Sequence, residues 1–182
     1  MKNICVFCGA REDVNLKYKA VATRCGELIA KYGLTLVYGG SNSGLMSRVS
    51  DAAIDNGSEV MGVYPSILNQ NEPFSARISI PVIVDNMSIR KSVMNSNADA
   101  FIILPGGSGT LEELFEILTL KVLKGHNKPI MIVNTDGYWQ KLEELLKHIV
   151  EEKFASSTLF EAYRIVDTPE EALKRLGSGN DD

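Results

Sequence analysis

Basic residues are in the minority in this 182-residue chain: 19 Lys and Arg stand against 23 Asp and Glu, a formal net charge of −4. Nucleic acids and anionic membranes are gripped by a basic face, so neither is expected as a partner. A small anionic ligand stays possible, because one pocket can be positive on an acidic protein. No run approaches the ~20 apolar residues that span a bilayer. The opening MKNICVFCGARED has neither the length nor the cleavage site of a signal peptide, and the expected location is the cytoplasm. Cysteines number 3, few and odd, so no disulfide framework is expected. His126 and His148 stand alone, without partners at metal-ligand spacing, and no metal site is expected. There is no G-x-S-x-G elbow. CVFC (5–8) has the spacing of a redox pair, but it falls in an apolar run where residues i and i+3 face opposite sides of a strand. Cys5 therefore reads as core and Cys8 as a strand-end residue near a cleft.

What is present is a hydrophobic content of 45%, enough for a full core, laid out in alternation. Apolar runs at 3–8, 35–40, 59–65, 80–85, 100–107, 128–134 and 163–167 read as strands. Helical patterns fill 16–33, 44–57, 88–98, 110–125, 138–154 and 169–176, and an irregular loop covers 66–79. Near-continuous apolar strands alternating with helices predict an α/β fold, a doubly wound parallel sheet with helices on both faces. One domain over 1–176 is expected, followed by a disordered tail at 177–182.

Ligands of such sheets bind beyond the carboxyl ends of the strands, and three glycine joints fall there: Cys8-Gly9, Gly39-Gly40 and Gly106-Gly107. A strand, then PGGSGT (105–110), then a helix is a phosphate cradle. Gly106, Gly107 and Gly109 let a ligand approach the free N–H groups of the helix start, and Ser108 and Thr110 add hydroxyls. The spacing is neither that of a P-loop nor G-x-G-x-x-G. YGGSNSGLM (38–46) is a second such joint; either one also reads as a tight turn needing positive φ.

Glu112 and Glu113 follow the cradle. T-L-E-E fits a capping box, with Thr110 as N-cap and Glu113 at N3. On a helical wheel Leu111, Leu114, Phe115, Leu118 and Val122 share one apolar face, while Glu113 lies opposite, flanked by Ile117 and Leu120. That second side is expected to face a partner subunit, with Glu113 near its edge. Arg90 and Lys91 begin a helix after another strand end, where positive charge opposes the helix dipole. They read as surface charge or as groups aimed into the cleft, Arg90 toward a phosphate or toward Glu113.

PGGSGTLEE (105–113) resembles the P-G-G-x-G-T-x-x-E signature of the LONELY GUY family, the cytokinin riboside 5′-monophosphate phosphoribohydrolases. RK (90–91), DAFIILPGG (99–107), KPIMIVNTDGYW (128–139) and EEKF (151–154) are also similar, and the likeness runs from residue 3 to about 176. It implies a Rossmann-like fold, a homodimer and, without cofactor or metal, hydrolysis of the N-glycosidic bond of a purine nucleoside 5′-monophosphate such as AMP or an N6-substituted AMP. It implies Arg90 and Glu113 as catalytic residues, Lys91 and the 107–113 segment as nucleotide contacts, and Glu72 and Thr119 as further contacts. Gly39, Gly40 and Cys8 join the expected substrate site as strand-end residues. Two departures stand out: Ser88 replaces the family's usual histidine in M-H-x-R-K, and YGGSNSGLMS lacks the usual third glycine after Gly40 and the glycine after Met46. The alternative reading is a non-catalytic carrier or sensor of a phosphorylated ligand such as molybdenum cofactor, which related folds carry.

Overall fold

A computed structural model describes residues 1–68 and 75–178, and its elements follow the apolar runs. Strands β1 (Asn3–Phe7), β2 (Thr35–Tyr38), β3 (Val60–Pro65), β4 (Ile80–Val84), β5 (Ala100–Ile103), β6 (Ile130–Val133) and β7 (Arg164–Val166) carry the sheet. The helices are α1 (Leu16–Lys31), α2 (Gly44–Asp55), α3 (Met87–Asn97), α4 (Ser108–Val122), α5 (Gln140–Glu151) and α6 (Pro169–Ser178). All seven strands are parallel, in the order β4-β3-β2-β1-β5-β6-β7.

Every residue of β2, β5 and β6 is buried, which is why these strands show no polar alternation. α1, α2 and α6 cover one face of the sheet, and α3, α4 and α5 cover the other. The pleat sends Cys5 into the second core and Cys8 into the first, so CVFC is no redox pair; all three cysteines are buried and unpaired. Most element ends differ from expectation by a few residues. α6 runs to Ser178 rather than stopping at 176, because Leu176 is buried and the Ser178 hydroxyl donates to the Arg175 carbonyl at 2.9 Å. In the β3–β4 connection, Ser66–Leu68 form one 3₁₀ turn, and Glu72 lies outside the described residues.

The chain winds outward from β1 to β4 and then returns to lay β5 against the free side of β1. Neighbouring connections leave the sheet in opposite directions at that point, which opens a crevice at the carboxyl ends of β1 and β5. Gly9 and Pro105 meet there, the Gly9 N–H donating to the Pro105 carbonyl at 3.1 Å.

α1 and α2 approach closely at Gly26, where a Cβ would lie 2.2 Å from the backbone oxygen of Val49. Helix propensity alone would make Gly26→Ala stabilising by about 1 kcal/mol. A backbone atom cannot swing aside, so the substitution is expected instead to destabilise the fold by about 1–3 kcal/mol in urea unfolding; a stabilised protein would show that the two helices are free to part.

Candidate active site

The crevice is a cavity of about 480 Å³ walled by the ends of β1 (Cys8, Gly9), β2 (Gly39, Ser41), β3 (Tyr64) and β5 (Pro105, Gly106), and by α3 and α4. Its floor is the start of α4. The capping box expected from T-L-E-E does not form. Gly107 is the N-cap, without a side-chain bond, and Ser108 is the first helical residue. Thr110 sits inside the first turn and is buried, its hydroxyl filling the space a Cβ on Gly106 would need, 2.0 Å away. Packing against Gly106, in the turn after β5, thus takes Thr110 from its capping role. The first i→i−4 bond of α4 is Leu111 N–H to the Gly107 carbonyl. The N–H groups of Ser108, Gly109 and Thr110 have no acceptor among the described residues. A Cβ on Gly107 or Gly109 would meet nothing within 4 Å. Bare amides and the positive end of a helix therefore open on the cavity, a seat for an anion.

The second glycine joint has the opposite fate. At the start of α2 the Gly44 N–H donates to Glu12 Oε1 at 2.6 Å, and the Leu45 N–H donates to the Gly9 carbonyl at 2.9 Å. The protein's own carboxylate takes that N-terminus. The Gly44 amide, then Lys19, hold Glu12 below the usual glutamate range. Of the two joints, the one after β5 is left for a ligand.

Arg90 and Glu113 meet between the strand ends. Each is 5% exposed, and Arg90 Nη1 donates to Glu113 Oε1 at 2.8 Å. Arg90 Nε donates to the Val63 carbonyl at 3.1 Å. Asn86 caps α3, its side chain accepting from Ile89 N–H at 3.0 Å, and so sets the helix that carries Arg90. The guanidinium lies against the backbone of Gly39, where a Cβ would be 1.7 Å from Nη2. Burial pushes the Glu113 carboxyl above the ordinary glutamate range, and the Arg90 charge and hydrogen bond oppose that shift. Burial also pushes the Cys8 thiol well up, with the Glu113 charge adding to it, so Cys8 is a neutral wall of the cavity rather than a nucleophile.

The structure brings Cys8, Gly39, Arg90, Gly106, Gly107, Ser108, Gly109, Thr110 and Glu113 into one cavity. Other expected residues lie elsewhere. Glu113 does not lie toward a partner: the buried side of α4 is Thr110, Glu113, Leu114, Ile117 and Leu118. The sheet covers that side, and Leu111 and Phe115 are left half-buried with Val122 exposed. Lys91 turns away from the cavity to pair with Glu112 and Glu116. Thr119 is exposed on the far side of α4, and Gly40 is buried behind the wall. Ser88 is exposed. Tyr138 is a wall residue that sequence reasoning missed. Its hydroxyl donates to the Gly106 carbonyl at 2.7 Å and its ring meets Tyr18 edge-on at 5.3 Å, pinning the glycine loop; the aromatic pair after the Asp136-Gly137 turn was its only trace. His126 is structural. Its Nδ1 accepts from Lys128 N–H at 3.1 Å, which leaves Nε2–H to donate to the Ile117 carbonyl at 3.0 Å. Among the described residues no group of three or more His, Cys, Asp or Glu could hold a metal, and no helix is long and apolar enough to cross a membrane.

A family profile described as possible lysine decarboxylase matches residues 46–176. The chain is 40% identical over 176 residues to a probable cytokinin riboside 5′-monophosphate phosphoribohydrolase of Oryza sativa subsp. japonica, covering 97% of this chain and 76% of that protein. It is 39% identical over 175 residues to a cytokinin riboside 5′-monophosphate phosphoribohydrolase of Arabidopsis thaliana, covering 96% and 81%. Among solved structures, the molybdenum cofactor binding protein of Rippkaea orientalis superposes with a TM-score of 0.75 at 25% identity, covering 98% of this chain and 97% of that one. The molybdenum cofactor carrier protein of Chlamydomonas reinhardtii gives 0.73 at 18% identity, covering 97% and 96%, a likeness of fold alone.

The contact at Gly39 makes the site testable without touching a charged group. Gly39→Ala is expected to leave a folded protein with Arg90 driven off β2 and the 2.8 Å bond to Glu113 lost. A crystal structure of the variant with that bond in place would show that the guanidinium does not depend on the bare backbone.

Proposed function

The chain belongs to the LONELY GUY family of cytokinin riboside 5′-monophosphate phosphoribohydrolases, and from that membership we propose that it hydrolyses the N-glycosidic bond of a purine nucleoside 5′-monophosphate to free base and ribose 5-phosphate. The observation that carries this reading is the buried Arg90–Glu113 pair, 2.8 Å apart, in the same cavity as the uncapped start of α4. A carrier of a phosphorylated ligand needs the amide seat but has no use for that pair.

Glycosidic cleavage develops positive charge on the ribose. The amides of Ser108, Gly109 and Thr110 hold the 5′-phosphate and so place the sugar. Ionised Glu113 then faces the anomeric carbon, stabilises the oxocarbenium-like state and aligns the attacking water. Arg90 keeps Glu113 charged and aimed, and it assists departure of the base. The decarboxylase description of the family profile is not supported by these residues. A pyridoxal cofactor needs a lysine for its Schiff base, yet among the described residues no lysine lines the cavity, and Lys91 is held by two glutamates.

The same reading includes a homodimer. α3 and α4 lie on one face of the sheet and leave Met87, Ile89, Val122 and Leu123 exposed beside half-buried Leu111 and Phe115. Exposed apolar side chains on one face suit an interaction with a second copy. Thr119 lies on that side of α4, so it reaches a nucleotide only if a second copy brings its cavity there. Equilibrium sedimentation at micromolar concentration is expected to give twice the chain mass; a single-chain mass would remove the dimer and Thr119 with it.

Incubation with AMP and with N6-substituted AMP is expected to release free base from at least one of them. Glu113→Gln should lower the rate by at least about 10²-fold, the low end for a positioned acid–base group. Nucleotide binding by the unaltered protein with no base released would favour a carrier. Because burial raises the Glu113 pKa and the reaction uses the ionised form, kcat should fall as pH drops through that raised value. The acid limb is therefore expected above the ordinary glutamate value of about 4.3. An activity flat down to that pH would exclude Glu113 as the titrating group.

A further inference from the structure

Ser41 lies just past the end of β2 and lines the cavity beside Gly39, Leu45, Met46 and Tyr64. It is 2% exposed, and its hydroxyl has no hydrogen-bond partner among the described residues. Buried hydroxyls are nearly always satisfied, so an orphan in a cavity wall calls for a reason. The neighbouring hydroxyls are engaged elsewhere, Ser47 donating to the Gly44 carbonyl at 3.0 Å and Ser50 to the Ser47 carbonyl at 3.2 Å. The turn does not require a hydroxyl here either, since the LONELY GUY pattern usually has a third glycine at this position.

We propose that Ser41 hydrogen-bonds the purine of the bound nucleotide and helps set which base the site accepts. The proposal rests on the nucleotide reading above, and its argument is one of placement. The anion seat is at the end of β5, and the Arg90–Glu113 pair lies between the strand ends. β2 is on the other side of β1 from β5. A nucleotide with its phosphate on α4 and its anomeric carbon at Glu113 directs its base toward β2, where Leu45, Met46 and Tyr64 supply walls for the faces of a purine. The edge of a purine carries both acceptors and donors. A serine hydroxyl both donates and accepts, and one rotation about its Cα–Cβ bond turns it from the wall to the cavity.

The test separates the base from the rest of the ligand. Dissociation constants for AMP and for ribose 5-phosphate are measured by calorimetry on Glu113→Gln protein, with Ser41 intact, as Ser41→Ala and as Ser41→Gly. Both variants are expected to weaken AMP about fivefold and to leave ribose 5-phosphate within about twofold, as for loss of one neutral hydrogen bond. Ligand-free Ser41→Ala should melt no lower than its parent, because the orphan hydroxyl is gone. Equal weakening of both ligands, or unchanged AMP affinity, would overturn the proposal. The two readings fail separately: a split between the ligands with no base release by the unaltered protein sinks the hydrolase and keeps Ser41 as a base contact, whereas base release without the split sinks Ser41 alone.

Discussion

A buried arginine and glutamate have to be held together for the rest of this molecule to make sense. Taking either charge out of water costs several kcal/mol, and their attraction offsets this only with good geometry and additional hydrogen bonds. Four separate pieces of chain meet that demand: α3 brings Arg90, α4 brings Glu113, the end of β3 offers the Val63 carbonyl, and β2 offers the bare backbone of Gly39. No pair of these elements is adjacent in sequence to all the others. The parallel sheet, with its strand ends converging on one edge, is what makes the meeting possible.

The glycine loop after β5 works with the pair because its residues divide the labour. Gly106 is small so that Thr110 can pack beneath it, while Gly107 and Gly109 leave the amides uncovered. Tyr138 fixes the loop from above through the Gly106 carbonyl. The start of α4 is thus tied to its neighbours through Gly106, and the amides of Gly107 and Gly109 stay uncovered.

Much of this was legible in the sequence, and the failures have physical causes. Strand and helix spans were readable because both faces of the sheet are covered and the apolar runs are unbroken. The assignment of Cys5 and Cys8 to opposite sides followed from the pleat alone. The capping box failed because the capping hydrogen bond lost to the packing of Thr110 against Gly106. The face of α4 was misassigned because periodicity detects two apolar sides without saying which one the sheet covers. Lys91 and Arg90 are neighbours in sequence with opposite destinations, since a turn of 100° carries one into the cleft and the other onto Glu112 and Glu116. Glu12 on the Gly44 amide spans 32 residues and left no local trace.

That last contact has a chemical consequence. Two anion seats side by side on one sheet edge would suit a ligand with two phosphoryl groups in separate places, such as a dinucleotide. Here one seat is occupied by the Glu12 carboxylate of the same chain, so a second phosphoryl group brought toward α2 meets negative charge instead of open amides. Of the two seats, the one at the start of α4 keeps its amides uncovered, an arrangement that suits a single anionic group.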